Sequence, residues 1–269
     1  DEQLKHQLKQ YAPDVIGISC WTEFWYPIHN LMGKIKKNLP DSHISLGGPH
    51  VGIFPEESLR HEHVDSIVLG DGERPVLNLL NHLGTGEPLM DRGVYLKQAQ
   101  APERYLFHVE HDINQLPFPE RTLLSLEDYT SILAKEANIA TMITSRGCPH
   151  QCVYCKLHFQ KTVSRSAENV VDEMEEVAAL GFKELEIYDD TFTCSQKRVV
   201  QICSLILDRG IQLKWSVRDR VSNINEETLD LMVRAGCNRI HLGIETGNKT
   251  VLKNIKKKIS LDQARASVT

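Results

Sequence analysis

The chain has 269 residues, of which 41% are hydrophobic and 25% charged, with a net charge of −5. That is enough material for two ordinary domains, each with a real core. The acidic balance excludes a general nucleic-acid or anionic-membrane surface, and no apolar run approaches the roughly 18 residues that would span a bilayer. Seven cysteines, an odd number with no secretory signal ahead of the first domain, read as reduced thiols of a cytoplasmic protein.

Leu4, Leu8 and Tyr11 recur at helical spacing, and Pro13 closes that helix. Strands are predicted at Val15–Ser19, His43–Leu46 and Ser66–Leu69, with helices at Pro27–Asn38, Pro55–Arg60 and Arg74–Leu83. Strands alternating with helices imply a parallel sheet, and ligands of such sheets bind beyond the carboxyl ends of the strands. Those ends carry Ser19-x-Trp21-Thr22, Gly47-Gly48-Pro49-His50 and Gly70-Asp71-Gly72-Glu73. On the glycines alone, tight turns explain all three.

Residues 85–138 read as a connector. Gly93–Leu96 and Tyr105–Val109 are expected to pair as a small hairpin, and Pro117 and Pro119 hold the following stretch extended as a linker.

From residue 139 four βα units follow, with strands near Ile139–Thr144, Glu184–Asp189, Leu213–Val217 and Arg239–Ile244. One helix turns Val170, Val171, Met174, Val177 and Ala178 inward, with Ser166 as N-cap. A second buries Val199, Ile202, Cys203 and Ile206 and is closed by Gly210. A third starts at Asn225, turns Leu229, Met232 and Val233 inward and ends at Gly236. Strand alternation puts Leu185, Ile187, Trp215, Val217, Ile240, Leu242 and Ile244 against helices. Glu186, Tyr188, Asp190, Ser216, Arg218, His241, Gly243 and Glu245 then face a common interior. A charged interior is costly unless its groups are paired or meet a polar ligand. An ion pair between Arg218 and Glu245 is one way to satisfy it, and His241 reads as a satisfied core histidine. The basic run Lys253–Lys258 reads as a solvated helix end, and Cys20, Cys194, Cys203 and Cys237 as small apolar fillers.

The remaining cysteines fall in one stretch, Cys148-Pro149-His150-Gln151-Cys152-Val153-Tyr154-Cys155, spaced C-x-x-x-C-x-x-C. Three thiolates on one loop can hold three corners of an iron–sulfur cube and leave one iron open to a substrate. A zinc knuckle would need a fourth ligand at suitable spacing, and His150 and His158 make no familiar two-plus-two pattern.

This motif, with an aromatic residue before its third cysteine, resembles the radical S-adenosylmethionine (SAM) superfamily. The upstream strand ends resemble the cobalamin-binding domain that precedes the radical SAM domain in one large subgroup. The resemblance implies an α/β protein with an N-terminally truncated, Rossmann-like cobalamin-binding domain over 1–84, a linker over 85–138 and a partial (βα) barrel over 139–269. It implies a 4Fe–4S cluster on Cys148, Cys152 and Cys155, and SAM contacts from Tyr154, Asp190, Ser216, Arg218 and Glu245. Cobalamin would meet Ser19, Trp21, Thr22, Gly47, Gly48, Pro49 and His50, with no protein histidine below the cobalt. His43 is an ordinary strand residue in that reading.

The function so implied is reductive cleavage of SAM to a 5′-deoxyadenosyl radical, with cobalamin-dependent methyl transfer to an unactivated carbon. An oxidative cyclase of the magnesium-protoporphyrin ester type and a methylthiotransferase-like branch are alternatives within the family, and a non-catalytic metal-binding module is one outside it. A small-molecule or lipid-like substrate and an electron donor such as flavodoxin or ferredoxin are the expected partners. Barrel strands beyond Thr269 are expected to complete the substrate pocket, so this stretch by itself is expected to be inactive in turnover.

Overall fold

The structure is a computed structural model that describes residues 2–90, 92–99, 102–123, 125, 131–133, 135, 138–155 and 161–268. It divides into two compact units, Asp1–Glu110 and His111–Thr269.

In the first unit, α1 (Glu2–Tyr11) precedes β1 (Val15–Ser19), α2 (Trp25–Asn38), β2 (His43–Gly47), α3 (Pro49–Ile53), α4 (Pro55–Arg60), β3 (Ser66–Val68), α5 (Glu73–Thr85) and β4 (Val94–Leu96). β1, β2 and β3 are parallel neighbours, and β4 runs antiparallel on β3. Ile44, Leu46, Ile67 and Leu69 are fully buried with Met32 and Ile35 of α2, as expected of strands covered on both faces. His43 is bonded to the Ser66 hydroxyl across β2 and β3 at 2.8 Å.

The predicted hairpin does not form. Val94–Leu96 pairs with β3 instead, and Tyr105–Val109 makes only an isolated bridge, Gly70 to His108. Gly70 permits that crossing: its φ is +90°, and a Cβ there would stand 2.0 Å from the His108 carbonyl oxygen. Sequence patterning shows two short strand-like runs but not which third strand captures one of them. Helix α3 was also unforeseen, although Pro49 at its first position is a helix-start signal.

In the second unit, β5 (Ile139–Met142), β8 (Glu184–Ile187), β9 (Lys214–Asp219) and β10 (Cys237–Leu242) form a parallel sheet in the order β10-β9-β8-β5. A two-stranded ribbon, β6 (Ser145–Arg146) with β7 (Val163–Ser164), follows β5. Helices α6 (Ala167–Ala179), α7 (Gln196–Asp208) and α8 (Glu226–Arg234) pack on one face of the sheet against Leu185, Ile187, Trp215, Val217 and Ile240. Ser166 and Asn225 cap α6 and α8 as expected, and Ser195 caps α7. Gly210 and Gly236 follow α7 and α8 with left-handed φ of 65° and 98°. One inward assignment fails: Val233 is 60% exposed, because α8 buries Thr228 and Met232 instead.

The prolines of 112–121 lead to a residue with more than a linker's role. Arg121 is buried and donates to the Thr141 carbonyl at 2.9 Å and to Glu173 at 2.5 Å, and Arg165 donates to the other oxygen of Glu173. This buried Arg–Glu–Arg group ties the chain before β5 to α6. After β10 come α9 (Lys249–Asn254) and α10 (Leu261–Ala266), the latter opened by a full capping box at Ser260 and Gln263.

Candidate functional site

The face of the second sheet turned away from the helices is polar, and it is satisfied in layers. At the amino ends of the strands, Arg239 Nη2 bonds Glu184 Oε1 at 2.9 Å and lies 3.6 Å from Glu186 Oε1. An irregularity in register after Cys237 puts Arg239 opposite Ser216 and so onto this face. One layer up, the Arg218 guanidinium lies 3.7 Å from the Tyr188 ring centroid, and Tyr188 donates to Glu186 at 2.8 Å. Among the described residues Arg218 has no ion-pair partner and Glu245 pairs with Lys257, so the alternative of an Arg218–Glu245 pair is not realised. His241 is half-buried beside Arg218 and Arg239. Opposite Arg218 in register and only half-buried, it lies on the polar face and not in the core, and burial first, then Arg239 and Arg218, lower its pKa.

Above these layers the loop bearing Cys148, Cys152 and Cys155 leaves β6, and it is fastened from β8. Asp189, 1% exposed, accepts from the Thr144 and Ser145 amides at 2.6 and 2.9 Å and from both hydroxyls at 2.5 and 2.6 Å. Asp190 accepts from the Gly147 amide at 2.9 Å, and burial pushes its carboxyl above the ordinary range. The sequence reading took Asp190 as the informative member of the pair; it missed Asp189, whose signal was an acid at a position alternation gives to the helix face.

Within the loop the Cys155 amide bonds the Cys152 carbonyl at 3.0 Å, and the Val153 amide bonds Ile255 at 3.1 Å. Cys148 Sγ lies 3.4 Å from the Thr191 hydroxyl. Arg220, at the end of β9 and 5% exposed, points Nη1 at Cys152 Sγ from 3.5 Å and donates through Nη2 to the Lys257 carbonyl. Lys257 in turn bonds Glu245 at 2.6 Å and the Tyr154 hydroxyl at 3.2 Å. It is 5% exposed, so the basic run is no solvated helix end at this residue. The Lys257 hydrogen bond, ahead of opposing burial, lowers the pKa of Glu245, while burial and then Glu245 raise that of Tyr154.

The expected SAM residues thus sort into three groups. Tyr154 and Glu245 meet through Lys257, Ser216 and Arg218 share β9, and Asp190 anchors the loop's entry. Cys20, Cys203 and Cys237 are buried as fillers, but Cys194 is exposed. Partial desolvation, then Cys148, push the Cys194 thiol up. No three ligating side chains among the described residues converge as a single-ion site requires; His158 lies outside them. The donor set fits an iron–sulfur cube better, because three free thiols share a pinned loop with a buried cation whose Nε has no partner.

In the first unit the ends of β1 and β2 come together. The Cys20 amide bonds the Gly47 carbonyl at 2.8 Å, the His50 amide bonds the Cys20 carbonyl at 3.0 Å, and His50 Nδ1 lies 3.4 Å from the Thr22 hydroxyl. Gly48 is required, since with φ of +92° a Cβ would stand 2.8 Å from Ser19 Oγ. Ser19, Trp21, Thr22, Gly48 and Pro49 are exposed, with Phe24, Ile53 and Phe54 also presenting apolar surface there. His50 is buried, stacked 4.3 Å from Trp25, and its Nε2 has no partner. An apolar rim around a glycine-lined strand end fits a large flat ligand. The third end is occupied by the chain itself, since Asp71 accepts from the Glu110 amide at 2.8 Å.

Residues 142–269 match the family model of the radical SAM superfamily, and residues 1–80 match that of the B12 binding domain. The chain thus carries a radical SAM domain behind a B12 binding domain. It is 31% identical to an uncharacterized methyltransferase of Pyrococcus horikoshii, with 96% of this chain and 57% of that protein covered. It is 26% identical to the cytidylyl-2-hydroxyethylphosphonate methyltransferase of Streptomyces wedmorensis (98% and 56% covered). It is 25% identical to an anaerobic magnesium-protoporphyrin IX monomethyl ester cyclase of Rubrivivax gelatinosus (100% and 50% covered). The chain therefore spans about half the length of the curated relatives it matches. Among solved structures it superposes on the cobalamin-dependent SAM radical enzyme OxsB with TM-score 0.78 at 20% identity, covering 99% of this chain and 40% of that one. For the radical SAM methyltransferase TsrM of Kitasatospora setae the values are 0.76 and 19%, covering 99% and 57%. These likenesses bear out the expected α/β architecture, with a B12-binding domain ahead of a radical SAM domain. No helix among the described residues is long and apolar enough to cross a membrane.

Proposed function

We propose that the chain is the cobalamin- and cluster-binding part of a radical SAM methyltransferase acting on an unactivated carbon of a small molecule. The observation that carries this is the three-thiol loop, pinned by Asp189 and Asp190 and backed by buried Arg220, at the carboxyl ends of strands whose polar face holds an Arg218 with no ion-pair partner among the described residues. Cys148, Cys152 and Cys155 are the cluster ligands in this reading. The chemistry the bound groups supply is one-electron cleavage of SAM to methionine and a 5′-deoxyadenosyl radical, together with methyl transfer through cobalamin.

The chain's own residues bind and orient. Arg218, 3.7 Å from the Tyr188 ring centroid and without a carboxylate partner among the described residues, can meet the carboxylate of SAM, and Ser216 lies on the same strand face. Asp190 offers an anion toward the SAM ammonium. Burial raises its pKa, and a bound ammonium would favour the charged form. Glu245, kept ionised by Lys257, suits the ribose hydroxyls, and the half-exposed Tyr154 ring suits the adenine. Exposed Ser19, Trp21, Thr22, Gly48 and Pro49, with Gly47 and His50 behind them, form the cobalamin rim.

A low-potential one-electron donor of the flavodoxin or ferredoxin type and a cytoplasmic setting complete the reading. Oxidative cyclisation is the second reading, favoured by the 25% identity to a cyclase along the whole chain. Anaerobic reconstitution with iron and sulfide tests the core of it. About four iron per chain are expected, lost on replacing any of the three cysteines by alanine, with aquocobalamin bound by the same preparation. Stoichiometric zinc and no iron would instead establish a metal-binding module.

A further inference from the structure

Buried arginines in the second unit fall into two kinds. Arg121 and Arg165 share the carboxylate of Glu173, and Arg198 donates to the Arg165 and Thr144 carbonyls, burial lowering its pKa against the opposing charge of Asp189. Arg220 is different. It is 5% exposed, its side chain meets the Cys152 sulfur and the Lys257 carbonyl, and Nε has no partner. Among the described residues it has no carboxylate in ion-pair contact, the Asp219 carboxylate being taken by the Thr193 and Arg220 amides. Its charge reaches Glu245, but that carboxylate is already bonded to Lys257, and a buried cation hydrogen-bonded only to a carbonyl and a thiol is expensive unless a further anion joins it.

The turn that receives Arg220 is built under strain. Lys256 and Lys258 both have left-handed φ, 54° and 55°, a conformation unusual for a side chain longer than asparagine. Between them Lys257 turns its carbonyl to Arg220 and its ammonium to Glu245. The guanidinium is therefore held by the fold and does not depend on a flexible partner.

We propose that Arg220 is the fixed counter-charge of the iron–sulfur cluster and raises its reduction potential. The proposal rests on the cluster reading above. Three thiolates on a cube whose iron and sulfide sum to +2 leave a net charge of −1. One electron from an external reductant makes it −2, with no bond formed or broken and no proton taken up. A cation fixed beside one thiolate in a buried site stabilises the −2 state more than the −1 state, by simple Coulomb attraction at low dielectric. Arg220 acts on the cluster through charge and through Cys152, not by touching a substrate.

The test compares the anaerobically reconstituted wild-type chain with R220Q and R220K, reading iron content and the cluster midpoint potential in a dithionite titration followed by EPR. Gln keeps hydrogen-bond donors without charge, and Lys keeps charge without the planar fork. R220Q is expected to hold wild-type iron and to be at least tenfold harder to reduce, a fall of about 59 mV for one electron, with R220K recovering most of it. An unchanged potential in R220Q overturns the proposal, as does an R220K potential as low as that of R220Q. If R220Q loses its cluster, R220K decides. A retained cluster near wild-type potential supports the proposal, and loss in both variants reduces Arg220 to a geometric brace. Wild-type chain that takes up no iron would overturn the cluster reading itself, a result distinct from all of these.

Discussion

Asp189 offers the sharpest test of how the cysteine loop is held. Its Oδ1 accepts two backbone amides and its Oδ2 two hydroxyls, all from Thr144 and Ser145, which are themselves buried. In D189A the two amides have no substitute acceptor, and each buried unsatisfied donor costs about 1–3 kcal/mol. The loss should therefore be about 2–6 kcal/mol, a large share of the stability of an ordinary domain. D189N is predicted to be far milder. Its amide oxygen can serve the two backbone donors, while the hydroxyls of Thr144 and Ser145 rotate to accept from its NH2 group. What remains is the loss of charge assistance, about 1 kcal/mol. Urea denaturation of the two variants measures the difference, and iron retention after desalting measures its effect on the loop. Equal destabilisation by D189N and D189A, or a D189A midpoint equal to wild type, would refute the reasoning.

Other outcomes follow from the same geometry. E173Q leaves Arg121 and Arg165 facing each other across a neutral group, so a loss of about 3–5 kcal/mol in urea unfolding is expected; less than 1 kcal/mol would mean the triad is not dry. R218Q should keep its iron yet bind SAM about 10- to 100-fold more weakly in equilibrium dialysis, as loss of one or two charged hydrogen bonds implies. Unchanged affinity would remove Arg218 from the SAM site. Glu245 titrates low because Lys257 donates to it, so its folded-state pKa lies below the unfolded value of about 4.3. Its contribution is thus full above that value and is lost as pH falls through the folded one. The stability gap between wild type and E245Q should accordingly shrink in acid below about pH 4.3, and a gap that widens there would contradict the pairing. H50F keeps the stack on Trp25 and removes an unpartnered buried nitrogen along with the long Nδ1 contact to Thr22, so its stability should lie within about 1 kcal/mol of wild type, while H50A should lose about 2 kcal/mol or more; an H50F loss as large as that of H50A would show that hydrogen bonding and not stacking holds the ring.

Much of this was legible in the residues. Alternation sorted β8 and β9 correctly, because Leu185, Ile187, Trp215 and Val217 are large apolar side chains at strict period two. It also served for β10, where the irregularity falls ahead of Ile240. The cysteine spacing and the glycine-bearing strand ends needed no structure to be noticed. What the sequence could not reveal were partners far apart in the chain. Arg220 reaches Cys152 across 68 positions and Arg121 reaches Glu173 across 52, and no local pattern marks either pair. The same holds for Lys257, which sits in a basic run whose neighbours Lys256 and Lys258 are both exposed. Surface lysines and a buried one look alike until the turn that separates them is known. The missed pairing of β4 has the same origin, since register between strands is decided by tertiary packing and not by strand propensity.

The central claim is that three cysteines hold a cluster with one iron open to SAM. EPR of the dithionite-reduced, reconstituted chain with and without SAM tests it most directly. The account predicts a 4Fe–4S signal whose g-values shift on adding SAM, with the shift diminished in R218Q. A cluster signal that SAM leaves unchanged would contradict it.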